Sequence, residues 1–195
     1  MTEALSSLSK RETASFSIQG ISQKLGVTHA AAYRHFADKR DLLAAIAVEG
    51  VAHFVRSVED IRARLESLDR SADPWPLFRE GVARFVQFSF ENAGYFRAIF
   101  HADLEDDREY PELLAARQER FAAMSSLILR CVGGDLPQSE LRSKAIAFWA
   151  VTYGLSMLFI EEQLPGTIEM PRFDPLQTAQ EVARVLENGM KSVAA

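Results

Sequence analysis

The sequence is poor in residues that cross-link or interrupt a chain. It holds a single cysteine, Cys131, among 195 residues, which excludes an internal disulfide and fits a reducing cytoplasm. Only 7 prolines and 10 glycines break up long Ala/Leu/Glu/Arg-rich stretches, so collagen-like and low-complexity classes are excluded. No long uninterrupted apolar run occurs, and no membrane span is expected. The opening MTEALSSLSKRETAS lacks a signal-peptide core. Positive charge is not in excess either. The net charge of −5 excludes a chain that is basic over its whole surface.

The patterns of common chemistries are missing too. There is no Walker loop, dinucleotide glycine pattern or nucleophile elbow, so no catalytic residue and no cofactor is expected. His101, Asp103 and Glu105 imitate a metal cluster, but they lie at a helix end entering an acidic loop and read as exposed. His29 and His35 do not share a helix face, and His53 stands alone. None of these spacings is a zinc pattern, and no metal is expected. The acidic run 105–109 reads as a solvated loop, and Cys131 as a buried structural thiol.

What is present is helical periodicity almost throughout, with no convincing strand. The spacing predicts an all-α chain with helices near 2–11, 18–25, 29–36, 39–65, 77–91, 95–101, 112–132, 138–163 and 176–192. Ser17, Thr28 and Asp38 are the expected caps of the second, third and fourth. Gly26 supplies the turn between the second and third, and Gly133-Gly134 ends the 112–132 helix. The segment 69–76 reads as a connection.

Charge is uneven along the chain. Residues 1–48 hold six Lys/Arg against four acids, a modestly basic head on an acidic body, as suits a protein that touches nucleic acid with one end. Three short helices, two of them joined by a Gly turn, make a helix-turn-helix pattern. A helix that enters the major groove must be narrow where it meets the bases. Ala30 and Ala31 keep it narrow, and Val27, Ala32 and Phe36 can anchor it inward. Tyr33, His35 and Lys39 can reach phosphates, while Gln19, Thr28 and His29 can read bases. The same pattern also occurs in helical proteins that bind no DNA. There Tyr33 would be a half-buried packing residue, Arg34 a solvated charge, and His35 a helix C-terminal residue.

The segment FSIQGISQKLGVTHAAAYRHFADKRDLL, residues 16–43, resembles the DNA-binding head of the TetR family of bacterial transcriptional regulators. The resemblance rests on capped Ser17, the Ile21…Leu25-Gly26-Val27 turn, Tyr33-Arg34-His35-Phe36, Asp38-Lys39 and Leu42-Leu43. It implies that Tyr33, His35 and Lys39 hold the DNA backbone and that Gln19, His29 and Ala31 face bases. The candidate DNA contacts are therefore Ser17, Gln19, Thr28, His29, Ala31, Tyr33, His35 and Lys39. The family usually carries a basic arm ahead of the first helix, and Met1 here falls inside the aligned helix. Two further departures are the missing glycine near Glu12 and Gly20 within the second helix, where glycine costs about 1 kcal/mol relative to alanine.

The expected division is 1–45 as DNA-binding head and 46–195 as ligand-binding and dimerisation body. The helix near 138–163 is apolar on two faces, Ile146/Trp149/Ala150/Tyr153/Met157/Ile160 and Phe148/Thr152/Leu155/Phe159. It must be covered on both. The last helix presents Leu176, Ala179, Ala183, Leu186 and Met190 as a stripe. The resemblance implies that the last two helices form a homodimer bundle, and that a small-molecule effector controls binding to a double-stranded DNA operator. Phe148–Leu155 is also similar to the Trp…His-Gly signature of the WHG-type C-terminal subfamily, with Tyr153 at the histidine position. Candidate ligand-binding residues are Phe85, Phe88, Phe96, Phe100, Met124, Trp149, Thr152, Tyr153 and Met157, an apolar lining with few polar groups. The expected function is a cytoplasmic, ligand-responsive repressor. The alternative is an all-helical small-molecule binding protein with a weakened DNA head.

Overall fold

A computed structural model describes residues 2–9, 17–25, 28, 30, 33–101, 104, 109–133, 136–163 and 174–191. Among these there is no strand. The helices are α1 (Thr2–Ser9), α2 (Ile18–Leu25), α3 (Lys39–Ser57), α4 (Glu59–Ser67), α5 (Trp75–Glu91), α6 (Ala93–Ile99), α7 (Pro111–Val132), α8 (Gln138–Ile160) and α9 (Pro175–Lys191). The expected third helix is described only in part; Ala30 and Tyr33 are helical. The expected turn at Gly26, and the inward packing of Val27 and Ala32, lie outside the described residues.

Side-chain caps start the helices where short polar residues stand. The Ser17 hydroxyl accepts the Gly20 N–H at 3.0 Å and so opens α2, which puts Gly20 in the first turn rather than the helix interior. Asp38 Oδ1 accepts the N–H groups of Arg40 at 2.7 Å and Asp41 at 3.0 Å, and opens α3. Asp73 and Asp174 do the same for α5 and α9, accepting from Trp75 at 3.1 Å and Leu176 at 2.8 Å. Each bond satisfies an N–H that the helix itself leaves unpaired. The Asp73 cap is why α5 begins at Trp75, two residues before the expected 77. Gly133, at φ +86°, ends α7 in the left-handed conformation that glycine adopts without strain.

One expected helix is two. The run 39–65 breaks at Val58, with φ −115° and ψ 7°. There the Val58 N–H turns to the Val55 carbonyl at 3.2 Å, and Arg84 of α5 donates to the Ser57 carbonyl. A tertiary partner takes up what the helix releases.

The chain forms two compact units: Met1–Phe54 with Asn92–Glu119, and Val55–Glu91 with Arg120–Ala195. In the first, α1 packs on α6 and α2, with Ala4, Leu8, Ile18, Leu43, Ile46, Tyr95 and Phe96 buried. In the second, α5 packs on α9 and α8, which also touch each other. Phe78, Val82, Ile128, Ala145, Phe148 and Met190 share one core cluster there. Ala83, Val86, Leu155, Phe159 and Ala179 share another. Arg130 of α7 donates to the carbonyls of Leu68, Asp69 and Arg70 and fixes the loop before α5.

By length and composition α8 is apolar enough to cross a membrane. In the fold its Phe148, Thr152, Leu155 and Phe159 are buried in the second unit, as a core helix requires. The α9 stripe also turns inward. Ala179, Ala183 and Met190 are buried within their own unit, while Leu176 is exposed.

Candidate functional site

In the first unit, the capped start of α2 places Ser17 and Gln19 on the surface. Thr28, Tyr33, Arg34 and His35 are exposed as well, and Lys39 is half-buried. Tyr33 keeps 47% of its surface in solvent. His29 and Ala31 lie outside the described residues. The exposed set offers hydroxyl, amide, imidazole and phenol groups, with an ammonium at the start of α3. These are donors for phosphate oxygens and base edges.

The head is anchored from behind by α6. Arg97 Nη1 donates to the Leu8 carbonyl at 2.8 Å, near the end of α1. Tyr95 lies against α3 at Gly50, where an added Cβ would stand 3.0 Å from Tyr95 Cβ and Cδ1. The Tyr95 hydroxyl donates to Glu49 Oε1 at 2.8 Å, and its ring stacks on His53 at 5.3 Å. Of the expected ligand residues, Phe96 and Phe100 belong to this unit and pair with each other at 4.8 Å.

The other seven belong to the second unit. Trp149 is the centre of a cluster there. Phe85 meets it edge-on at 6.3 Å, and Tyr153 lies parallel to it at 6.5 Å. Phe85 and Phe88 are buried, whereas Tyr153 and Met157 are half-buried. Met124 packs against the core cluster that contains Phe148. Thr152 is buried, and its hydroxyl donates to the Phe148 carbonyl one turn back at 2.8 Å, so it can offer a ligand only acceptor capacity. Arg120, which no motif or spacing marks, joins this cluster. Its guanidinium sits 4.3 Å from the Trp149 ring centroid, close enough for a cation–π contact.

No group of three or more metal-ligating side chains occurs among the described residues. Asp103 and Glu105 lie outside them. Burial, and behind it the charges of Asp73 and Glu187, push the Cys131 thiol up to about 12. It is protonated and unreactive at neutral pH.

Residues 1–46 match the family described as bacterial regulatory proteins, tetR family. Residues 78–187, more than half of the chain, match the tetracyclin repressor-like C-terminal domain. No curated protein matches the sequence. Among solved structures, the TetR family transcriptional regulator PfmR from Thermus thermophilus superposes with a TM-score of 0.66 at 19% identity, over 97% of this chain and 95% of that one. The fatty acid degradation regulator FadR from Bacillus halodurans gives 0.69 at 13% identity, over 96% and 92%. A protein of unknown function from Rhodococcus sp. RHA1 gives 0.67 at 18% identity, over 98% and 91%. At these identities the likeness speaks for the fold.

Proposed function

The chain belongs to the TetR family of bacterial regulatory proteins, and from that premise we propose that it is a ligand-responsive repressor. Members of this family are DNA-binding transcription regulators, not enzymes. In our reading a cytoplasmic homodimer holds two half-sites of a palindromic operator, about one DNA turn apart, and a small apolar effector releases it.

The observation that carries the reading is the capped helical head with its polar face in solvent. Tyr33, His35 and Lys39 grip the backbone. Ser17 and Thr28 reach phosphate or base edges from helix starts. Gln19, His29 and Ala31 face bases. The effector site lies in the second unit at the Trp149 cluster, with Phe85, Phe88, Met124, Thr152, Tyr153 and Met157 around it. An effector that prefers one conformer shifts the population away from the DNA-bound one.

Selection of sites from a random duplex pool tests this. A two-fold symmetric motif is expected. On the selected duplex, Lys39→Ala weakens binding to all sequences alike and lowers the salt slope, whereas His29→Ala relaxes preference at one position by about 1–3 kcal/mol. Equal effects of both on every sequence would overturn the assigned roles, and a pool that yields no motif would overturn the regulator reading.

A further inference from the structure

The first turn of α3 is clasped by the two residues that precede α7, and the clasp lies beside the proposed backbone contacts. Arg40 Nη1 pairs with Glu109 Oε2 at 3.0 Å, and the guanidinium carbon stands 5.8 Å from the centre of the Tyr110 ring. The Tyr110 hydroxyl donates to Asp41, and the Tyr110 carbonyl accepts the Leu114 N–H at 3.0 Å as α7 opens. Side chains tied to the start of α7 therefore grip two successive residues of α3.

The neighbouring acids have other work. Asp38 accepts the Arg40 and Asp41 N–H groups, and Asp41 Oδ2 accepts that of Ala37 at 2.9 Å. A cation in a first helical turn meets the positive end of the helix dipole, which disfavours it. The Glu109 carboxylate is a partner for Arg40 from outside α3. The fork of N–H groups that takes a carboxylate takes a phosphate with the same geometry, and Arg40 directly follows Lys39.

We propose that Arg40 is a further contact to the DNA backbone and that Glu109 occupies it in the DNA-free chain, so that a carboxylate and a DNA phosphate compete for one guanidinium. The inference rests on the DNA-binding reading above. The side chains of Arg40 and Glu109 are 37% and 60% exposed. An ion pair this well solvated is weak, so Glu109 acts as a graded brake rather than a lock.

The test is a titration of the full chain against its selected duplex across a range of salt. The variants are Glu109→Gln, Arg40→Ala, the two combined, and Glu112→Gln, which removes the same charge nearby in α7. Glu109→Gln is expected to tighten binding by about two- to fivefold, and Glu112→Gln by less. Arg40→Ala is expected to weaken binding and lower the log–log salt slope by about one. In the Arg40→Ala background, Glu109→Gln is expected to change nothing. A Glu109→Gln effect that persists without Arg40 reduces to diffuse charge and overturns the competition. An unchanged salt slope in Arg40→Ala overturns the backbone contact. A wild-type chain that selects no DNA fails the regulator reading first, and this inference falls with it.

Discussion

Glu187 shows what one buried charge does in the second unit. Its carboxylate accepts from Arg79 Nη1 and Lys191 Nζ, each at 2.5 Å. Burial alone raises its pKa. The hydrogen bonds from Lys191 and Arg79 and their charges outweigh burial and hold it below the ordinary glutamate value. A carboxyl whose folded-state pKa is depressed stabilises the fold above its unfolded value, and that stability is lost as the pH falls through the folded value. Glu187→Gln should therefore cost about 1–3 kcal/mol at neutral pH, and the difference should shrink in acid below the carboxylate range. Urea unfolding of both proteins at the two pH values checks this; a deficit that persists unchanged in acid would mean the charge is not its source. The Lys191 partner is readable from the sequence at four residues' spacing. Arg79 is 108 residues away, and no local pattern announces it. Lys144 misleads in the opposite sense. It pairs with Glu140 four residues earlier at 3.5 Å, a spacing typical of exposed helix faces, yet it is buried and donates to the Met190 carbonyl at 2.7 Å.

At the scale of elements, helix starts are legible where the signal is local: Ser17 and Asp38 each cap the helix that follows them. The α7 end at Gly133 was legible for the same reason. Less legible were features set by a second element. The break at Val58 goes with Arg84 of α5, and the close approach of α3 and α6 depends on Gly50, which carries no turn signal. An alanine methyl at Gly50 would stand 3.0 Å from Tyr95 Cβ and Cδ1 and 3.2 Å from Ile99 Cδ1. The Tyr95 Cβ is fixed to its backbone, so α6 must move. Overpacking of this kind costs about 1–3 kcal/mol, which exceeds the roughly 1 kcal/mol that alanine gains over glycine in a helix. Gly50→Ala should lower the melting temperature. Gly81→Ala in α5, where an added Cβ comes no nearer than 3.4 Å, to the flexible Leu127 Cδ2, should not lower it. Melting curves at equal concentration decide, and a Gly50→Ala protein as stable as wild type would place no weight on this crossing.

At the scale of the whole molecule, the two apolar faces of α8 part company. The sequence shows both and cannot say which one its own chain covers, because either would satisfy the helical period. The face of Phe148, Thr152, Leu155 and Phe159 is buried by its own unit. The second face divides. Trp149, Tyr153, Met157 and Ile160 are half-buried, Trp149 against Phe85 and Arg120 of its own unit. Ala150, by contrast, is exposed and Ile146 keeps 58% of its surface in solvent, on a strip that continues through exposed Ala147 and Leu158, as Val185 on α9 keeps 72%. In the proposed homodimer this is the seam, and a two-fold seam sets each residue near its own copy's surface patch. Ile146→Glu would then bring two carboxylates into a desolvated contact, where a charge without a partner is costly. The expected outcome is at least a tenfold weaker dimer by sedimentation equilibrium, with helical content by circular dichroism unchanged because Ile146 supports no part of its own unit's core. DNA binding should fall in step, since a single head grips only one half-site. A dimer that survives Ile146→Glu intact would move the seam to another face; a variant that loses its helicity would show instead that Ile146 belongs to the fold of the single chain.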